Sequence, residues 1–307
     1  MVFFGTPDIA AQVLGDLLDA GINVVAVVTT PDKRRGRGSA TDATPTKKVA
    51  ITRNVPVIEN VDDAVQFLSG RNLDGVTGVV VAYGRIIREP LLSLIPLVNL
   101  HFSLLPRWRG AAPVERAILA GDQRTGSSIM QIEAGLDTGA VYGVEEVAIS
   151  DTETVDELRS RLGVIGAKQI VEMLTNGFPE PVAQVGEAVH ADKISAEDLQ
   201  IDWLRSAVEV NRTIRLGGAF SSFRGQRLKV WNAEVTDDAR GVVNGEIEAV
   251  VMQPGAIFAV DREGVGVGTG LGSVRLVTVQ PEGKKPMAAR DWANGVRPSV
   301  GEIFGSH

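Results

Sequence analysis

In the first hundred residues, short runs of apolar, mostly β-branched residues alternate with a stretch of helical character. The runs lie at 2–4, 24–28, 76–82 and 97–100. Between the first two, apolar residues recur at helical spacing, with Pro7 at the start and Gly21 at the end, as in a helix. Continuous β-branched runs are typical of strands buried on both faces. Strand, helix and strand in this order predict βαβ units and a Rossmann-like, mostly parallel sheet.

A different pattern begins after about residue 225, where short alternating runs are separated by glycine, asparagine and aspartate. The runs at 228–231, 265–267 and 274–279 predict an all-β module of barrel or sandwich size. Helical spacing predicts helices over 153–174 and 206–214, and the Asn-Gly-Phe-Pro-Glu-Pro run at 176–181 ends the first of them. A chain of 307 residues favours two domains. We predict a catalytic domain over 1–180, a linker over 181–202 and a second domain over 203–307.

Composition narrows the class of protein. The chain has no cysteine and three histidines, so disulfides, thiolate chemistry and a histidine-rich zinc site are not expected, and we predict no metal. No apolar run reaches the ~20 residues that span a bilayer, and the N-terminus does not resemble a signal peptide. We therefore expect a cytoplasmic monomer without membrane contact. The net charge of -7 argues against DNA and against bulk binding of nucleic acid.

Residues 98–113 hold the side chains best suited to chemistry. Asn99 and His101 are two positions apart at the end of a predicted strand, so their side chains point to one face. The carboxyl ends of parallel strands open into the ligand crevice. A histidine there could also be a half-buried strand residue held by hydrogen bonds. The segment 103–113, with Trp108 between two arginines and two prolines, is predicted to be irregular and to form a substrate wall.

A second segment places Asp137 between Gly135 and Gly139, after a predicted strand at 129–132. An aspartate between glycines is commonly only a turn residue. Together with Asn99 and His101, however, it supplies a carboxylate that can orient an imidazole. The glycine-rich segment 264–270 looks like a phosphate loop, but no helix follows, so a hairpin is predicted there.

These motifs together resemble the folate-dependent formyltransferase family. The similarity lies in the run 99–106, in Arg109-Gly110 and in the run 136–139. Segments 5–8, 30–38, 106–113 and 280–287 resemble the branch of the family that formylates methionyl-tRNA, and the likeness extends over essentially the whole chain. The resemblance implies a C-terminal OB-like barrel. It also implies transfer of the formyl group of 10-formyltetrahydrofolate to the α-amine of methionyl initiator tRNA.

The resemblance also implies roles for individual residues. Asn99 and His101 would hydrogen-bond the formyl oxygen as it gains charge, and Asp137 would orient His101 and relay the amine proton through a water molecule. The folate-binding residues implied are Ser103, Leu104, Leu105, Pro106, Arg85, Ile86 and Ile87. Two departures stand out: Phe102 occupies a position where relatives have a smaller residue, and segment 215–223 lacks the prolines usual there.

Segment 31–48 is basic in an otherwise acidic chain. It contains six basic and two acidic residues, a local excess of +4, and is the strongest candidate for contact with phosphates. In the family that it resembles, a loop here enters the acceptor stem, which makes Arg37 the candidate wedge. The tRNA-binding residues predicted are Lys33, Arg34, Arg35, Arg37, Lys229, Lys284 and Lys285. Trp231, near Lys229, is more often a core residue than a contact residue.

Three alternatives remain open at this point. A sugar-nucleotide N-formyltransferase would share the Asn–His–Asp trio, although the basic segment and the Lys284-Lys285 pair argue against it. A folate- or RNA-binding module without activity is opposed by the intact trio. An NAD-dependent oxidoreductase is suggested by fold class alone, which is a weak basis for a function.

Overall fold

The computed structural model describes residues 1–34, 41–236, 240–243, 246–249 and 253–305, and the chain divides into two units. Unit 1 comprises 1–116, 123–149 and 157–193, and unit 2 comprises 117–122, 150–156 and 194–307. The helices are α1 Asp8–Asp19, α2 Pro45–Thr52, α3 Val61–Leu68, α4 Leu91–Leu94, α5 Pro113–Ala120, α6 Val155–Asn176, α7 Ala207–Arg215 and α8 Ala289–Val296. None of the helices in these ranges combines the length and apolarity needed to cross a bilayer.

The strands that the structure describes fall into two large sheets and three short pairs. They are β1 Val2–Gly5, β2 Ala26–Val28, β3 Lys33–Arg34, β4 Thr41–Asp42, β5 Val57–Ile58, β6 Gly78–Val81, β7 Leu97–His101, β8 Arg107–Gly110, β9 Arg124–Gln131, β10 Val141–Ala148, β11 Val189–Ala191, β12 Phe220–Phe223, β13 Gln226–Thr236, β14 Arg240–Val243, β15 Glu246–Ala249, β16 Ile257–Val260, β17 Val265–Gly268, β18 Ser273–Pro281 and β19 Met287–Ala288.

Unit 1 is built on a seven-stranded sheet in the order β10-β9-β7-β6-β1-β2-β5. The five strands from β7 to β5 are parallel, whereas β9 and β10 run antiparallel to their neighbours. Strands β1, β2 and β6 are buried throughout, which explains why their sequences are continuous apolar runs rather than alternating ones. The predicted Rossmann-like, mostly parallel sheet is therefore confirmed, although β2 and β6 are shorter than the runs that predicted them.

Unit 2 contains an antiparallel sheet in the order β12-β13-β18-β17-β16, with β19 added beside β18. The predicted all-β module is confirmed. Helix α7 begins where predicted, because Ser206 and Glu209 form a capping box at its start. Helix α8 was missed, although Ala289, Trp292 and Ala293 are buried at helical spacing.

The glycine-rich segment in unit 2 forms a hairpin, as predicted. It contains β17, which pairs with β16, and Gly266 lies under the ring of Phe258. A Cβ on Gly266 would come within 2.6 Å of that ring. The glycine therefore serves close packing between strands.

Segment 181–202, predicted as a linker, divides between the two units at Lys193 and Ile194. Its first part is regular: β11 pairs in parallel with β8. The prediction that 103–113 is irregular was wrong, because this segment contains β8 and the first residue of α5. Strand β8 pairs with β11, about 80 residues later in the chain, and no pattern in the neighbouring sequence indicates this pairing. The domain boundaries themselves stay a prediction.

Candidate functional site

Strand β7 carries Asn99 and His101 in the interior of the unit 1 sheet, between β6 and β9. The alternation of strand side chains places both on one face, at the carboxyl end of the strand. Asn99 is half-buried, and no described residue forms a hydrogen bond with its carboxamide. Its donors and its acceptor are therefore available to a bound molecule.

The imidazole of His101 is 5% exposed and is held by two neighbours. Nε2 lies 2.8 Å from the carbonyl oxygen of Trp108, and Nδ1 lies 3.7 Å from Oδ2 of Asp137. Because a carbonyl only accepts, Nε2 must carry the proton. Burial lowers the pKa of His101, and the Asp137 charge and the hydrogen bond to Trp108 oppose that shift. The favoured form is thus a neutral ring with its proton on Nε2 and with Nδ1 unprotonated.

The carboxylate of Asp137 is fixed by its own set of contacts. The backbone N–H of Gly110 donates to Oδ2 at 2.8 Å. The backbone of Asp137 has a φ of 51°, a left-handed conformation that is unfavourable for a residue with a Cβ. His101 and Asp137, predicted to converge, are brought together from positions 36 residues apart in the chain.

Gly110 reaches Asp137 because β8 and β11 run close together. Its φ is 126°, and a Cβ at this position would lie 2.8 Å from the carbonyl oxygen of Ala191. Only glycine fits here without strain. Two residues before Gly110, Trp108 has a φ of 66°. The guanidinium carbon of Arg107 lies over the ring of Trp108, 4.3 Å from its centroid. This short strand therefore supplies both the carbonyl that holds His101 and the amide that holds Asp137.

Sequence reasoning missed Gln184, which lies in the predicted linker. Its Nε2 donates to the carbonyl oxygens of Asp137 and Gly139, at 2.9 Å each. Its Oε1 accepts from Nε and Nη2 of Arg109, at 3.0 and 2.7 Å. A single glutamine in a polar segment carries no signal for such contacts, since all its partners are remote in sequence.

The residues predicted to bind folate differ in exposure. Arg85 and Ile86 are exposed, whereas Ile87 is 7% exposed and packs in a core cluster of unit 1. The hydroxyl of Ser103 donates to the carbonyl oxygen of Arg107 at 2.6 Å and is fully buried. The remaining three are half-buried: Leu104, Leu105 and Pro106. Phe102 is 7% exposed. The assignment of these residues to folate stays a prediction.

In the basic segment, β3 and β4 form a two-stranded ribbon, so Lys33 and Arg34 lie at its base. Arg35 and Arg37 lie outside the described residues. Lys47 and Lys48 are paired within the fold with Asp32 and Asp42, the two acidic residues of the segment, so the local excess of +4 comes from its other four basic residues. Lys47 contacts Asp32 at 2.9 Å and Glu59 at 2.6 Å, and Lys48 contacts Asp42 at 2.7 Å.

The basic residues predicted in unit 2 border an exposed tryptophan. Trp231 is 37% exposed, which corrects its interpretation as a core residue. The Nζ of Lys229 lies 5.6 Å from the ring centroid of Trp231. The indole N–H donates to Oε1 of Gln280, and Nε2 of Gln280 donates to the carbonyl oxygen of Lys284. Lys284 and Lys285 are exposed, so these lysines and Trp231 share one surface.

Comparison with known proteins covers both units. Residues 1–174 match the family model described as formyl transferase, and residues 193–297 match its C-terminal domain. A methionyl-tRNA formyltransferase of Corynebacterium diphtheriae is 39% identical over 322 residues, covering 99% of each chain. One of Coxiella burnetii is 38% identical over 306 residues, covering 96% of this chain and 94% of the relative.

The fold is also shared with solved structures. One is an N-formyltransferase from Helicobacter canadensis in complex with folinic acid and dTDP-3-aminofucose. It superposes with a TM-score of 0.61 at 17% identity, covering 91% of this chain and 98% of that one. At this identity the likeness concerns the fold alone.

Proposed function

Because this chain belongs to the formyl transferase family, we propose that it transfers the formyl group of 10-formyltetrahydrofolate to the α-amine of methionyl initiator tRNA. The observation that carries the proposal is the similarity of 38–39%, along nearly the whole chain, to relatives that bear the name methionyl-tRNA formyltransferase. The products are N-formylmethionyl-tRNA and tetrahydrofolate. Since the acceptor serves translation initiation, we place the enzyme in the cytoplasm.

The first chemical step is attack of the amine on the formyl carbon. A bond forms between the amine nitrogen and that carbon, and negative charge develops on the formyl oxygen. The unpartnered carboxamide of Asn99 donates to this oxygen and stabilises the charge. Because Nε2 of His101 is engaged by Trp108, the amine proton passes to Nδ1, and the resulting imidazolium is stabilised by Asp137.

In the second step His101 passes the proton on to the leaving group. The carbonyl re-forms, the bond between the formyl carbon and N10 of the folate breaks, and the proton held on His101 is delivered to N10. In this scheme His101 is base and then acid, and it needs the neutral form that its lowered pKa provides.

Two exposed apolar side chains of unit 1 are available to contact the aromatic rings of the donor. Ile86 is 74% exposed, and Leu136, next to Asp137 in the chain, is 65% exposed. We propose that they join the other predicted folate residues in contacting the pteridine and the ring next to it.

Two groups of basic residues are proposed to contact the tRNA. The first comprises Lys33, Arg34, Arg35 and Arg37, with Arg37 as the wedge in the acceptor stem. The second is the surface of unit 2 formed by Lys229, Lys284 and Lys285. Trp231 adds an exposed aromatic face beside them, and such faces bind bases by stacking.

The decisive experiment measures transfer of labelled formyl from 10-formyltetrahydrofolate to charged initiator tRNA. We expect the variants His101→Ala and Asn99→Ala to lose at least about 10²-fold in rate. The exposed histidine variant His190→Ala is the matched control and keeps the wild-type rate. Formylation of a nucleotide-linked amino sugar in preference to charged tRNA would replace the proposal with the sugar-nucleotide alternative.

A further inference from the structure

Gln184 stands out in segment 182–187. The other residues of that segment are exposed, and Gln184 alone is half-buried. It forms hydrogen bonds to two separate parts of unit 1, the turn that contains Asp137 and strand β8, which contains Arg109. The Gln184 side chain, with its four hydrogen bonds, therefore attaches this exposed segment to the residues around Asp137 and Arg109.

We propose that Gln184 is a positioning residue that holds the Asp137 carboxylate beside His101. Its two N–H donors bridge the carbonyl oxygens of Asp137 and Gly139, which flank the turn. The kinetic test of this inference rests on the proposed function. The hydrogen-bond geometry of Gln184 is independent of that function.

Arg109 fixes the orientation of the amide. A guanidinium only donates, so the oxygen of the Gln184 carboxamide must face it. The NH₂ group then necessarily faces the two carbonyl oxygens. Arg109 thus selects the orientation of the Gln184 amide in which its NH₂ group holds the turn. A carboxylate at position 184 has no N–H to donate to the two carbonyl oxygens.

The turn needs such an anchor because the Asp137 backbone is in the left-handed region, with a φ of 51°. Residues with a Cβ keep this conformation only where their surroundings fix it. Gly110 holds the side chain of Asp137, and Gln184 holds its backbone. With the backbone anchor removed, the turn relaxes and Oδ2 moves away from Nδ1 of His101.

The kinetic test uses Gln184→Glu, which keeps the side-chain size but has no donor, together with Gln184→Ala. We expect both to lower kcat by about tenfold or more, with the KM for the folate donor within about twofold of wild type. Val185→Ala, at the neighbouring 84% exposed position, is the matched control and keeps the wild-type kcat. A wild-type kcat in Gln184→Glu would overturn the proposal, even if Gln184→Ala failed to fold.

A second readout separates this inference from the proposed function. The chain has only three histidines, so the His101 imidazole signal can be assigned by NMR from single substitutions. We expect the signal to shift in Gln184→Glu and to stay in place in Val185→Ala. An unchanged signal in Gln184→Glu would contradict the positioning role. An inactive wild type with a shifted signal would refute the function and retain the anchor.

Discussion

At the residue scale, the imidazole of His101 is oriented by a backbone carbonyl rather than by a carboxylate. The Trp108 carbonyl accepts a hydrogen bond from Nε2–H at 2.8 Å, whereas Asp137 is 3.7 Å from Nδ1, beyond a hydrogen bond. Asp137 therefore acts through charge on a ring that is already positioned. That arrangement leaves Nδ1 free to take a proton from a reacting amine.

The pKa of His101 can be measured directly. We predict by NMR titration that it lies below the ordinary 6.5, because burial disfavours the charged ring. Asp137→Asn removes the charge that favours protonation, so the pKa of His101 falls further. A pKa of His101 above 6.5, or one that rises in Asp137→Asn, would contradict this account.

The lowered pKa of His101 also predicts how the rate of formyl transfer depends on pH. Nδ1 must be unprotonated to accept the amine proton, so the rate decreases at acid pH as the ring is protonated. Because the pKa is lowered, that decrease lies below pH 6.5 for this group.

At the element scale, the base of the basic segment is tied to the sheet by side chains from both of its ends. Lys47, on α2, joins Asp32 at the start of the segment to Glu59 after β5. The hydroxyl of Thr44, which caps α2, lies 2.9 Å from that of Thr29. The hydrogen bonds that Lys47 donates to Glu59 and Asp32 raise the pKa of Lys47, so its charge is retained. Both ends of segment 31–48 are thus held by side-chain contacts with the rest of unit 1.

We predict that Lys47→Met raises the KM for charged initiator tRNA about five- to tenfold and leaves the KM for the folate donor unchanged, because the substitution removes the ion pairs that hold the ends of segment 31–48. Lys47→Arg retains the charge and recovers most of the loss. Arg53→Ala is the control, since this exposed residue directly after α2 forms a surface ion pair with Asp19. Equal increases in both KM values would indicate general destabilisation instead.

At the scale of the whole molecule, the charge of -7 requires that tRNA be attracted locally. With Lys47 and Lys48 paired within the fold, the candidates for phosphate contact are the remaining basic residues of 31–48 and the lysines around Trp231. Binding through a few lysines and arginines weakens with salt in proportion to the number of phosphates neutralised.

The double variant Lys284→Gln/Lys285→Gln tests this. We predict that it weakens tRNA binding and decreases the slope of log Kd against log salt concentration by about one to two, because each lost phosphate contact removes close to one released ion. Lys168→Gln, at an exposed position on α6, removes a charge elsewhere and leaves the slope unchanged. A wild-type slope in the double variant would exclude these lysines from phosphate contact.

The sequence by itself determined the elements whose signals are local and the residue types that carry the chemistry. Fully buried strands require continuous apolar runs, so β1, β2 and β6 were visible, and strand alternation put Asn99 and His101 on one face. The helical spacing of apolar residues predicted α7, because this periodicity is a local pattern. Each of these features is carried by residues within a few positions of one another.

Several contacts between residues remote in sequence were decided by the tertiary structure alone. Gln184 contacts Asp137 across 47 positions, and β8 pairs with β11 across about 80, although neither partner carries a local mark. Lys47 and Lys48 looked like free charges because their carboxylate partners are set by the folded chain. Local periodicity reports burial and conformation, whereas hydrogen bonds between distant side chains depend on how the elements pack.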